Sequence, residues 1–79
     1  MKVSEAVAKR IRELTNAKKT TLYKIYQQSG LSQSTFNYVI YAKYKGVNLT
    51  TLIAIIRTLG ISVAEFFESP LFSEENLDD

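Results

Sequence analysis

Apolar residues recur along this chain at helical rather than strand spacing. Val3, Val7, Ile11 and Leu14 step by four, four and three positions, which puts them on one stripe of a helix of about three turns. Ser4 is placed to cap that helix, with Glu5 against its positive end, while Lys9, Arg10, Arg12 and Glu13 lie off the stripe. Asn16 to Lys19 breaks the period and reads as a turn. Thr20 or Thr21 can cap a second helix that carries Leu22, Ile25 and Tyr26 and ends at Ser29, where Gly30 supplies the left-handed terminus. After Leu31, Ser32 caps a third helix whose Phe36, Val39 and Ile40 point inward. So short a connection makes these two helices cross steeply to share a core.

The run from Ala42 to Asn48 has no apolar period and reads as a loop. Thr50 is placed to cap a fourth helix in which Leu52, Ile55, Ile56 and Leu59 form a central apolar surface, ended by Gly60. Ser62 and Glu65 have the spacing of a capping box, with Ile61 and Phe66 placed for the hydrophobic staple beside it. Pro70 stops this short fifth helix, and Ser73 to Asp79 reads as an acidic, flexible tail. The nearest approach to strand alternation, TFNYVIYAKY, has a Ser cap and a three-to-four spacing that favour helix. The expected architecture is therefore all-α: a compact five-helix domain over residues 1–72 and a tail over 73–79.

Composition narrows the chemistry. Seventy-nine residues suffice for one domain and one core. With no cysteine and no histidine, thiol and imidazole catalysis are excluded, and no carboxylate cluster has metal-ligand spacing. No phosphate loop, signal peptide or membrane span is recognisable. The expectation is a cytoplasmic protein that is not an enzyme and needs no metal and no cofactor. Charge adds a partner class. From Met1 to Lys45 nine bases face two acids, a net +7, whereas from Gly46 onward one base faces six acids, a net −5. Such segregation suits a polyanion on the first part, or else two solvated faces of opposite sign.

The segment TLYKIYQQSGLSQSTFNYVI, Thr21 to Ile40, reads as helix, Gly turn, Ser cap, helix. In such a pair the first helix braces the second, so that its N-terminal part can enter a DNA major groove, which is about 12 Å wide. SEAVAKRIREL at Ser4–Leu14, SGLSQSTFNYVI at Ser29–Ile40 and TLGISVAEFFESPLF at Thr58–Phe72 carry a resemblance that spans roughly Ser4 to Phe72. The chain resembles the lambda-repressor-like, Cro and phage-repressor class of helix-turn-helix domains, the Xre family, and within it the small single-domain regulators of Gram-positive bacteria.

The resemblance implies a sequence-specific transcriptional regulator, more often a repressor. It would insert the helix from Ser32 to about Ala42 into operator DNA, with a homodimer on the double-stranded site. It implies that Ser32, Gln33, Ser34 and Thr35 approach DNA first and that Asn37 and Tyr38 follow one turn later, with Thr21 a further contact at the start of the second helix. The residue types agree, since Gln and Asn can pair bidentately with adenine and Ser and Thr suit phosphate oxygens. Four positions depart from the class. Leu22 stands where Gln is frequent, and Tyr26 stands where Ala lets the helices pack closely, so that Tyr26 either swings outward or holds the helices apart. Tyr41-Ala42 replaces the usual Asn-Gly, which would let the third helix run on into Lys43.

All five tyrosines lie between Tyr23 and Tyr44, and Tyr38, Tyr41 and Tyr44 cannot all face the core. They either line a DNA surface or roof the core with their ring edges. Lys43 and Lys45 are candidate phosphate contacts. Phe67, Leu71 and Phe72, beside Phe66, are candidates for a two-fold dimer contact. The same apolar cluster and acidic tail would instead serve a protein-interaction module, an antitoxin, anti-repressor or adaptor built on this fold.

Overall fold

The computed structural model describes residues 1–79 and is all-helical. Helices α1 (Val3–Ala17), α2 (Leu22–Ser29), α3 (Gln33–Ile40), α4 (Leu49–Leu59) and α5 (Val63–Phe67) are followed by a 3₁₀ turn over Pro70–Phe72. The apolar stripes read from the sequence close on one another. Twelve buried residues make a single core: Val7, Ile11 and Leu14 from α1, Ile25 from α2, Phe36, Val39 and Ile40 from α3, Leu52, Ile55, Ile56 and Leu59 from α4, and Phe66 from α5. Helix α1 packs against α3, and α2 against α4, so the α2–α3 pair is held from behind by two longer helices. Full burial of each such side chain contributes about 1.5–3 kcal/mol.

Several helix ends differ from the expectation. Ser4 is only 2% exposed and lies inside α1. Helix α1 begins two residues earlier than a Ser4 cap would place it, at Val3, with the Lys2 amide donating to Glu5 Oε1 at 2.9 Å. It also runs on to Ala17 through residues expected as a turn, because Lys19 adopts φ +54° and closes the end. The Lys19 amide donates to the Asn16 carbonyl at 3.0 Å and the Thr20 amide to that of Thr15 at 3.1 Å, a complete Schellman motif without glycine. Asn48, not Thr50, caps α4, its Oδ1 accepting from the Thr51 amide at 3.0 Å. The Ser62 half of the predicted box forms, Oγ accepting from the Glu65 amide at 3.0 Å.

The C-terminal segment, Ser73–Asp79, folds back over the start of α1. The Met1 ammonium donates to the Asn76 carbonyl at 2.8 Å and to Asp78 Oδ2 at 2.9 Å, and the Val3 amide donates to Asp79 Oδ1 at 2.8 Å. That ammonium, above all through its hydrogen bond, holds the Asp78 carboxyl below its ordinary value. Arg10 is a second tie. Its Nε donates to the Phe66 carbonyl at 2.7 Å and its Nη2 to that of Glu65 at 2.9 Å, so a cation from α1 sits on the carbonyl end of α5.

Candidate nucleic-acid interface

The entry into α3 is built from short-range chemistry. Thr21 caps α2, its Oγ1 accepting from the Lys24 amide at 3.2 Å. At the other end Ser29 Oγ donates to the Tyr26 carbonyl at 2.7 Å and accepts from the Leu31 amide at 3.2 Å. Gly30 turns the chain at φ +77°, a conformation that a side chain would strain. Ser32 then caps α3. Its Oγ accepts from the Thr35 amide at 3.2 Å and donates to Thr35 Oγ1 at 2.8 Å. The hydroxyls of Ser32 and Thr35 are thus partly committed to each other, and Thr35 is half-buried.

From that start α3 presents a row of polar side chains. Gln33, Ser34, Tyr38 and Tyr41 are exposed, while Asn37 is half-buried between them. Gln33, Asn37 and Tyr41 border a shallow cleft of ≈ 150 Å³ whose opposite wall is Leu22, Tyr23 and Tyr26 of α2. Tyr26 lies at the edge of the core, its ring centroid 5.7 Å from that of Phe36 and 6.2 Å from that of Tyr23. Its bulk therefore fills the seam between α2 and α3. Thr21 stands at the N-terminal end of α2, and Lys43 and Lys45 are exposed in the loop after α3.

The exit from α3 differs from the expected run into Lys43. The helix stops at Ile40, Tyr41 is its C-cap, and Ala42 adopts φ +49°. The Ala42 amide donates to the Val39 carbonyl and the Lys43 amide to that of Tyr38, both at 3.2 Å. This is the same Schellman closure as in α1, with alanine in the left-handed position that helices most often give to glycine. Arg12 reaches over from α1. Its Nη2 donates to the Ile40 carbonyl at 3.0 Å, and its guanidinium carbon lies 5.6 Å from the Tyr41 ring centroid. No sequence signal announces this contact, which joins residues 28 apart. Beyond it, the Tyr38 and Tyr44 rings meet at 5.0 Å, and Lys43 Nζ lies 5.4 Å from the Tyr38 centroid. The Tyr38 hydroxyl, as hydrogen-bond partner first and as a potential charge second, raises the Tyr44 phenol above its ordinary value.

The electrostatics of this face are set by composition. No Asp or Glu occurs anywhere from Leu14 to Ala64, so α2, α3 and the loop after them carry cations with no acid among them. Arg10 and Arg12, both part of the basic excess of the N-terminal half, spend much of their donor capacity on backbone carbonyls and are half-buried. The exposed positive charge therefore comes from lysines. Phe67, Leu71 and Phe72 lie apart from this face, in the segment packed on α1 and α4. Phe72 packs on the core and its ring meets Phe67 edge-on at 4.8 Å, leaving Phe67 37% exposed. No helix is long and apolar enough to cross a membrane.

Comparison with known proteins bears on the same residues. The family model described as the Cro/C1-type HTH DNA-binding domain matches residues 10–70, which takes in α2, the Gly30 turn and α3 entire. No curated protein and no solved structure matches the chain.

Proposed function

The chain belongs to the Cro/C1-type helix-turn-helix DNA-binding family, and from that premise we propose that it is a cytoplasmic, non-catalytic transcriptional repressor that reads operator DNA with α3 as a homodimer. The observation that carries the reading is the exposed row of Gln33, Ser34, Tyr38 and Tyr41 with Asn37 between them, on a helix pair that itself holds no carboxylate. Gln33 and Asn37 present amides one turn apart, the group that pairs bidentately with the N6/N7 edge of adenine. Ser32, Ser34, Thr35 and Thr21 supply hydroxyls, and Lys43 and Lys45 charge, for phosphates on either side. The partly exposed Phe67, with Leu71 and Phe72, supports a two-fold contact between copies, which would set half-sites about one DNA turn apart, roughly 34–36 Å.

Selection of bound sequences from a random duplex pool, followed by titration of salt, tests the reading. Gln33→Ala should relax base preference at one position of the half-site. Lys43→Ala should weaken all duplexes alike and lower the salt slope by about 0.9 per protomer bound. If both variants select and bind duplexes as the parent does, α3 is not the reading element. Sedimentation with and without the selected duplex, on the parent and on Phe67→Ser, tests the homodimer. A stoichiometric capture of a different protein that depends on Phe67, without duplex affinity at low salt, would favour the interaction-module reading.

A further inference from the structure

We propose that Arg12 is a positioning residue for DNA reading: it fixes the C-terminal end of α3 and holds Tyr41 in the orientation in which that side chain meets DNA. The inference rests on the proposed role of α3 as the reading helix. Helix α3 is only eight residues long, and its exit runs through Ala42 at φ +49°, a left-handed conformation that strains an L-residue. Local chemistry alone leaves that end weak. Arg12 strengthens it from a different helix, donating to the Ile40 carbonyl at 3.0 Å and placing a cation where the helix dipole is negative.

The same guanidinium faces the Tyr41 ring at 5.6 Å. Tyr41 is 62% exposed, so few other contacts define its direction. A planar guanidinium can hold a carbonyl with its edge while facing an aromatic ring; an ammonium is a point charge and cannot do both. No carboxylate lies within ion-pair distance of Arg12, whereas Arg10 nearby on α1 faces Glu13 at 4.0 Å and is tied to α5. The two arginines of α1 therefore have separate tasks. Arg10 holds the C-terminal segment, and Arg12 holds the end of the reading helix.

The test uses the full chain with Arg12→Gln, Arg12→Lys and Tyr41→Ala, singly, and Arg12→Gln combined with Tyr41→Ala. Binding is measured to the selected duplex and to a random-sequence duplex across salt, and NMR follows the Tyr41 ring resonances. We expect both Arg12 variants to lose on the order of tenfold in affinity for the selected duplex. Random-duplex affinity and salt slope should stay those of the parent, and the Tyr41 resonances should move in both. Tyr41→Ala should reproduce the loss, and the double variant should lose no more than either single one, the signature of one shared contact.

A direct phosphate contact by Arg12 gives a different pattern. The salt slope would fall by about 0.9 per protomer bound in Arg12→Gln, and Arg12→Lys would restore it. That result overturns the proposal, as does unchanged selected-duplex affinity in both Arg12 variants. Should Arg12→Gln fail to fold, Arg12→Lys and Tyr41→Ala still decide. A parent that binds no duplex overturns the DNA reading instead, and the Tyr41 resonances in Arg12→Lys then report separately whether Arg12 sets the ring.

Discussion

Helix α3 enters at Ser32 and leaves at Ile40, and its two ends are held by different means. At the entry every group that shapes the chain lies within a few residues: the Ser29 hydroxyl, Gly30 at φ +77°, and the Ser32 cap on the Thr35 amide. At the exit the backbone takes up the same left-handed turn without a glycine, at Ala42, and its support comes from Arg12 on another helix. The entry is locally encoded and rigid by composition. The exit is strained locally and stabilised by tertiary structure. In the proposed docking, bases are met first from the entry, so the more self-sufficient end is the one that faces the groove.

Substitutions can break or sharpen this contrast. The largest effect should come from Gly30→Val. A β-branched residue at φ +77° should destabilise the fold by about 2 kcal/mol, read as a lower urea midpoint at unchanged slope. No loss would mean that the turn relaxes and the entry is not rigid. Ser32→Ala removes the acceptor for the Thr35 amide and should cost about 1 kcal/mol, measured in the same way. Ala42→Gly runs in the opposite direction. Relief of the left-handed penalty, less the added chain entropy of glycine, should leave a gain of about 0.5 kcal/mol and a slightly higher melting temperature. A loss there would show that the exit is not strained.

The smallest effect is one of protonation. Tyr44 is a phenol whose value in the fold is raised by Tyr38, so the neutral form is the one the fold favours. Its contribution is whole below the ordinary phenol value, about 10, and is lost as pH rises through the raised one. Tyr38→Phe should bring that single transition back down in an ultraviolet titration of tyrosinate. If the titration is unchanged, the two rings do not stay together in solution.

The same division explains what the sequence reveals. Eleven of the twelve core residues lie on apolar faces read from spacing alone, because a helix repeats its inward face regardless of what it packs against, and Phe66 is placed by the staple beside the Ser62 cap. The caps at Thr21, Ser32 and Ser62 and the Gly30 turn are legible for a related reason: their partners lie within three residues. Where the partner is distant, spacing is silent. Arg10 and Arg12 read as surface charge, yet each binds carbonyls dozens of residues away. Lys19 and Ala42 carry no mark of a left-handed turn, since only the packing of the next segment requires one. Ser4 misleads because a serine near a helix start also fits inside it, where its small side chain can be buried. The polar row on α3 is legible as a face, but the support for its far end is not.

The Arg10 fork on α5 has a consequence for how the chain acquires its structure. A helix of five residues is far below the length that holds together alone in water, and α5 is completed by donors 56 and 55 positions earlier in the chain. It can therefore appear only after α1 is already in place, late on any folding route and with a large loop closed behind it. Amide protons at Phe66 and Glu68 should in turn exchange through opening of the α1–α5 contact rather than by fraying of a separate element. The last helix then gains its order after the first and loses it when their contact opens.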